Sequence, residues 1–276
     1  MNQGLDTSEV SKVALVTGAS GGIGLATATA LAEKGYTVFG TSRRAVVGDV
    51  VAGVRMIPCD VTSDASVAAA VLDVEAAFGR IDLLVNNAGV GLFGAAEETS
   101  MEQVHQLFDT NVYGTMRMTH AVLPIMRLQR SGRIVNLSSI LGLIPAPFSA
   151  HYSAAKHAVE GYSESLDHEV RGFGIRVVLV EPGMTQSAFD QNSSRADGSI
   201  RDYDAGCASV LGWISDGMKV ADSPDGVAKA ILIAAETKKP KLRYQTGKGM
   251  SRTAVLRRLV PAAAFDKSLR QQMRLA

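Results

Sequence analysis

A single doubly wound α/β domain is what this sequence predicts, and three observations predict it. Short, continuously apolar runs recur along the chain, longer helical patterns separate them, and a glycine-rich stretch follows the first run directly. The runs are Val13–Val16, Thr37–Thr41, Val54–Cys59, Ile81–Asn86, Arg133–Leu137, Ile175–Val180 and a last one near Leu242–Tyr244. Short and apolar at consecutive positions, they read as seven strands covered on both faces, as in a parallel sheet. The helical patterns span roughly Gly22–Lys34, Asp64–Phe78, Met101–Arg127, Tyr152–Gly172 and Pro224–Ala235. Alternation of the two requires crossover connections and places helices on both faces of the sheet.

Punctuation supports these boundaries. Ser63 and Ser100 stand where N-caps belong, with Gln103 three residues beyond the second. Gly35 and Gly79 stand where helices stop in a left-handed residue, and Pro224 fits a first helical turn. No composition break or internal repeat divides the chain, so residues 11–246 read as one domain. Residues 184–221 exceed an ordinary connection and carry Phe189, Tyr203 and Trp213, which suggests a lid over a binding site. Residues 247–276 interleave Arg and Lys with Val255, Leu256, Leu259, Phe265 and Leu269, and read as amphipathic helices broken at Pro261.

The 276 residues carry 28 Lys and Arg against 27 Asp and Glu. A net charge of +1 argues against nucleic acid as a partner, since that footprint needs clustered positive charge. Two isolated cysteines, Cys59 and Cys207, offer no disulfide framework, so a reducing, cytoplasmic compartment is expected. The opening residues lack the basic and apolar regions of a signal peptide. The stretch Ile134–Ala155 contains no Asp, Glu, Lys or Arg, yet its prolines 145 and 147, Asn136 and four serines exclude a lipid-facing helix. No integral membrane association is expected. The five histidines show no metal-ligand spacing, so no metal is expected either.

Thr17-Gly18-Ala19-Ser20-Gly21-Gly22-Ile23-Gly24 joins the first strand to the first helix. In that context Gly18 allows a sharp turn, Gly22 clears space for a pyrophosphate, and Gly24 permits close packing of the helix. Free N–H groups and the positive end of the helix dipole then face the phosphates, with Ser20 and Ile23 in the same loop. The spacing of these glycines resembles the loop of the short-chain dehydrogenase/reductase family, a Rossmann-type fold. Asp60-Val61 after the third strand, Asn86-Asn87-Ala88-Gly89 after the fourth and Pro182-Gly183 after the sixth match that family's further motifs. The resemblance covers about residues 11–245 and implies contacts of Asp60 and Val61 with adenine and of Pro182 and Gly183 with nicotinamide. It gives Asn87, Ala88 and Gly89 a place beside the same cofactor, with Ser187 near its carboxamide.

Ser42 occupies the position at which NAD-preferring members of that family carry Asp, and Arg43 follows it. An acid there would repel a 2′-phosphate, whereas a guanidinium can pair with one. NADP(H) is therefore the expected cofactor, although Gly21 stands where many NADP-preferring relatives carry a second basic residue.

Tyr152 and Lys156 are four residues apart and share a helical face; Ser139, beside Ser138, lies 13 residues before Tyr152. That separation matches the family's Ser–Tyr–Lys set, and Asn111 matches its fourth member. The resemblance implies that Tyr152 exchanges a proton with the substrate oxygen and Ser139 hydrogen-bonds that oxygen. Lys156 would hold the nicotinamide ribose, and Asn111 would support a proton-relaying water. An ammonium about 4–5 Å from the phenol should depress its pKa by roughly 2–3 units at an effective dielectric near 20. Phe93, Leu141, Phe148, Met184, Phe189 and Trp213 are the expected substrate contacts, a broad apolar set suited to a bulky hydrophobic ketone, aldehyde or secondary alcohol. The stretch 181–189 and the tail resemble the 17β-hydroxysteroid and retinol dehydrogenase branch. A 3-oxoacyl-carrier-protein reductase and a non-catalytic NADP-sensing regulator are the alternatives. A homodimer through Met101–Arg127 and Tyr152–Gly172 is the expected assembly.

Overall fold

The computed structural model describes residues 11–186, 189 and 193–275. Along the chain run β1 (Val13–Val16), α1 (Gly22–Glu33), β2 (Thr37–Ser42), β3 (Val50–Val51), β4 (Val54–Pro58), α2 (Asp64–Phe78), β5 (Leu83–Asn86) and β6 (Leu92–Phe93). Then follow α3 (Met101–Phe108), α4 (Gly114–Gln129), β7 (Gly132–Leu137), α5 (Ala150–Val170), β8 (Ile175–Pro182), β9 (Ser194–Arg195) and α6 (Arg201–Met218). The chain continues through α7 (Pro224–Glu236), β10 (Arg243–Thr246), α8 (Met250–Leu259) and α9 (Ala262–Gln272). The principal sheet has the order β10-β8-β7-β5-β1-β2-β4-β3. Its seven expected strands are parallel, and the two-residue β3 adds an antiparallel edge beside β4.

Alternation along the central strand separates two cores. Val13 and Leu15 pack with Val71 of α2, Met118 and Val122 of α4 and Leu166 of α5. Ala14 and Val16 face the other way, toward Ala28 and Leu31 of α1 and Ile231 of α7. All four residues of β1 are fully buried, which is why the strand shows no polar alternation. Ser63 and Ser100 cap α2 and α3 by accepting from Ser66 N and Gln103 N, and Gly79 ends α2 in the left-handed region.

Two segments depart from the expected reading. Met101–Arg127 is not one regular helix: a π turn over Asp109–Tyr113 separates α3 from α4. Its cause is tertiary, because the Asn111 side chain bonds both the N–H and the C=O of Val90, each at 2.8 Å, and the widened turn holds it there. Residues 184–221 are also not simply loop. Within them β9 pairs with β6, and α6 runs for 18 residues through Gly206, Gly212 and Gly217. Those glycines obscure the helical pattern, and two of them have a packing role: a Cβ at Gly206 would lie 2.9 Å from Phe148 Cζ, and Gly217 receives the Met184 sulfur, whereas a Cβ at Gly212 would meet nothing within 4 Å.

Behind the sheet edge lies a buried charge cluster. Arg243 on β10 reaches Glu160 of α5 at 2.9 Å, Glu164 at 2.8 Å and Glu181 of β8 at 3.2 Å. Gln245 Nε2 donates to Glu181 at 2.6 Å. Burial and the adjacent charge of Glu160 push the Glu181 carboxyl up to about 7. The native state thus holds a proton that the unfolded chain releases near pH 4.5, and stability falls as pH rises from there toward 7. Arg243→Met leaves two carboxyls facing each other without their cation. It should cost about 3–5 kcal/mol at pH 8 and clearly less at pH 5, where protonation relieves the repulsion, as read from thermal denaturation at both values.

Candidate active site

In the principal sheet the chain leaves β1 in one direction for β2 and β4, and returns on the other side for β5, β7, β8 and β10. The crevice beyond β1 and β5 is therefore the switch point at which open α/β sheets bind ligands. Thr17 directly follows β1 there. Its hydroxyl accepts from Asn87 N at 3.0 Å and Ala88 N at 2.9 Å, while Asn87 Nδ2 donates back to Thr17 O at 2.9 Å and Gly18 O at 3.2 Å. Sequence reasoning gave Thr17 no role of its own; a hydroxyl at the end of a buried strand was the available signal.

The glycine loop fits a dinucleotide by its shape. Gly18 (φ 65°) and Gly22 (φ 54°) take left-handed conformations that favour glycine. A Cβ at Gly24 would strike the carbonyl of Gly18 and lie 2.5 Å from Asn87 Nδ2, so α1 can approach the loop only because this residue has no side chain. At Gly21 a Cβ would meet nothing within 4 Å, which marks open space over the loop. No side chain caps the first turn of α1, leaving its positive end for an anion. Ser20, Gly22, Ile23 and Gly24 thus lie together around that helix start.

Across the crevice, Ser42 ends β2 and exposed Arg43 follows it. The charge of Arg43 reaches Asp60, whose carboxyl is held below its ordinary value by the backbone N–H and hydroxyl of Thr62, with Arg43 and Arg117 adding to the effect. Val61 packs against Gly114 at the start of α4, where a Cβ would lie 2.8 Å from the valine methyl. Gly89 faces Asn111 Oδ1. Gly183 N donates to Thr246 O, and its open face is taken by Met250 of α8, 2.8 Å from where a Cβ would sit. Ser187 lies outside the described residues.

Tyr152 and Lys156 project from α5, and both are more than nine-tenths buried. The lysine Nζ lies 5.7 Å from the tyrosine ring centroid and donates to Leu137 O at the end of β7, 2.8 Å away. Ser139 begins the turn after β7, and its hydroxyl accepts from Leu141 N at 3.1 Å. It also acts on the Tyr152 phenol in the downward direction, which distinguishes it from Ser138, whose buried hydroxyl points toward Gly142. Asn111, fully buried, spends both polar atoms of its side chain on Val90.

The expected depression of the phenol is not what this arrangement produces. Burial raises Tyr152 above its ordinary value; the Ser139 hydroxyl works in the opposite sense and is outweighed. Burial also lowers the Lys156 ammonium to about 8, against the favourable charge of Glu160 one turn further along α5. The same desolvation disfavours phenolate and ammonium alike, so a lysine 5.7 Å away does not overcome it.

Around the phenol, Phe189 stacks edge-on at 5.8 Å and Phe93 lies tilted at 6.3 Å, with Leu141 in the same apolar cluster. Phe148 and Met184 are placed differently. Phe148 turns toward Gly206 in an open cleft of about 760 Å³ whose lining does not include Tyr152, and Met184 reaches Gly217. Trp213 is half-buried on α6. Among the described residues no group of His, Cys, Asp and Glu could hold a metal ion.

A glycine-loop cradle at the switch point, opposite buried Tyr152 and Lys156 and half-buried Ser139, defines the class of a nicotinamide-linked oxidoreductase. The chain belongs to the short-chain dehydrogenase family, whose model matches residues 12–198. It is 40% identical over 238 residues to the 3-ketodihydrosphingosine reductase of Bacteroides thetaiotaomicron, covering 86% of this chain and 88% of that one. To retinol dehydrogenase 8 of Homo sapiens it is 34% identical over 256 residues, 85% and 81% of the two chains. A short-chain dehydrogenase of Streptomyces avermitilis superposes with a TM-score of 0.83 at 35% identity, over 97% of this chain and 98% of that one. Similar structures hold either cofactor: a family member from Burkholderia phymatum is in complex with NAD (TM-score 0.77, 26% identity, 90% and 93% covered). ElxO has NADP bound (TM-score 0.74, 28% identity, 88% and 99% covered).

Paired substitutions separate the two kinds of glycine. Gly24→Ala should lower stability by about 1–3 kcal/mol through overpacking against backbone that cannot yield. Gly21→Ala, in extended backbone facing open space, should leave the melting temperature unchanged in the same thermal scan.

Proposed function

We propose that the protein is an NADP(H)-dependent oxidoreductase that interconverts a bulky hydrophobic ketone or aldehyde and the corresponding alcohol, with Ser139, Tyr152 and Lys156 as its catalytic residues. The observation that carries this reading is the buried Tyr152 phenol, walled by Phe93 and Phe189, with the Lys156 ammonium 5.7 Å from its ring centroid. The bound nicotinamide supplies hydride to the carbonyl carbon or takes it from the alcohol. The protein manages the proton. The Tyr152 phenol carries its proton at neutral pH, as any phenol does, and delivers it to the carbonyl oxygen as hydride arrival makes that oxygen strongly basic; burial, which raises the phenol, works against that release. Ser139 donates to the same oxygen as negative charge develops on it. Lys156, anchored on Leu137 O, lies against the phenol ring and stabilises the phenolate left after transfer. Asn111 positions Val90 and the chain beside Gly89 through one bond from each polar atom of its side chain.

Arg43 supports the choice of NADP(H): exposed at the end of β2, its guanidinium suits a ribose 2′-phosphate, and no acid follows that strand. The apolar wall supports a lipid-like substrate, as do two relatives whose names denote a sphingoid ketone reductase and a retinol dehydrogenase. Residues 184–221 would then form the cover of the substrate site, with Phe189 directly over Tyr152.

Tyr152→Phe should lower turnover of a hydrophobic ketone by about 10²–10⁴-fold while the affinity for NADPH, measured by fluorescence titration, stays within a few-fold. Unchanged turnover would overturn the assignment. Ser42→Asp combined with Arg43→Ala should shift the kcat/KM ratio of NADPH to NADH toward NADH by about 10–100-fold, the worth of one or two charge-assisted hydrogen bonds. The rate of reduction should hold through neutral pH and fall above pH about 8, where Lys156 loses its proton.

A further inference from the structure

From the exposed face of α8 we infer that the C-terminal helical pair is a docking surface for an anionic lipid bilayer, seated in the plane of the membrane beside the active site. Val255, Leu256 and Leu259 share one face of α8, at the spacing by which apolar residues line a helix face that packs into a core. Here that face is turned outward: Val255 is 54% exposed, Leu256 40% and Leu259 76%. Thr253, Ala254 and Arg257, on the opposite side, are the partly covered ones, and Arg257 stacks over Phe265 of α9 at 5.3 Å. The apolar stripe is therefore not the seam that holds α8 to the molecule. Another exposed apolar residue lies near its root. Val220, 83% exposed, stands two residues before Asp222, whose carboxylate accepts from Lys248 N.

Charge selects the partner. Residues 247–276 contain seven Arg and Lys and one acidic residue, Asp266, a net charge of +6 in a chain whose total is +1. α8 itself has no acidic residue, and Arg252 and Arg258 are exposed on it beside the apolar stripe. Leucine and valine flanked by arginines match an interface in which acyl chains meet anionic headgroups. A polyphosphate chain such as nucleic acid would leave the apolar side chains in water, and a second copy of this chain would bring like charges together. Among the described residues no helix is long and apolar enough to cross a membrane, so the contact lies in the plane of the surface.

The location gives the surface a use. Met250, the first residue of α8, packs on Gly183 directly after β8, so the outward face is anchored at the rim of the catalytic crevice. A hydrophobic substrate dissolved in the bilayer would reach that rim without crossing water; this last step rests on the substrate reading proposed above, whereas the docking itself does not.

The test is sedimentation of the full chain with phosphatidylglycerol vesicles, beside pure phosphatidylcholine vesicles and protein alone, at low and high salt. Binding is expected to the anionic vesicles only, and to weaken steeply as salt rises. Arg252→Gln and Arg258→Gln should each lower the vesicle affinity about fivefold. Leu256→Ser with Leu259→Ser should abolish it with the melting temperature unchanged, because both side chains are exposed. Tyr152→Phe should bind vesicles as the unaltered chain does, so failure of the catalytic reading and failure of the docking surface are separable. Equal sedimentation with both vesicle types, none with either, or a concentration-dependent dimer that Leu259→Ser dissolves would overturn the inference.

Discussion

The hydrogen-bonded stitch between the ends of β1 and β5 is the contact on which the rest of the site depends. Thr17 and Asn87 exchange four bonds with each other's loops across the point where the strand order reverses. Parallel strands that part in opposite directions leave a crevice there, and unless its two lips are tied the glycine loop has no fixed shape. Asn87 also occupies the space that a side chain at Gly24 would need, so the tight approach of α1 and the tie between lips are one arrangement. Asn86 extends it inward: its amide donates to Thr119 and Asn136, and Asn136 donates to Ser163 of α5. Through this chain of buried amides the glycine loop and the helix that carries Tyr152 are held in one rigid frame.

Burial sets the chemistry of that helix. α5 carries Tyr152, Lys156 and Glu160 at successive turns, all of them nearly inaccessible to water. Removing water disfavours every charged form, which raises the phenol, lowers the ammonium and, through Glu160, loads a proton onto Glu181. Such a row is a poor contributor to stability, since burial drives the phenol and the ammonium toward their uncharged forms. Arg243 closes the row at the far end, balancing two buried carboxyls with one cation.

A large share of this was legible beforehand. Val13–Val16 and its counterparts were visible as strands because they are apolar on both faces, and Gly79, Ser63 and Ser100 marked helix ends through local conformational preference alone. The order of Ser139, Tyr152 and Lys156 followed from helical periodicity and a family spacing. The helix α6 was not legible, because its glycines break the pattern that betrays a helix, and the reason for two of them, Gly206 and Gly217, lies in Phe148 and Met184 from other segments. The π turn at Asn111 was hidden for the same reason: its cause is Val90, twenty-one residues earlier.

By itself the sequence determined what depends on neighbours along the chain: the alternation of strands and helices, the glycine loop, the caps, and the residue types that can exchange a proton and grip a phosphate. Only the tertiary structure decided how those residues behave. The upward shift of Tyr152, the partner that Lys156 chose in Leu137 O, the sharing of Arg243 among three carboxylates and the outward turn of Val255, Leu256 and Leu259 all depend on burial. Burial is a property of the assembled layers, summed over segments that the sequence places far apart, and no local pattern records it.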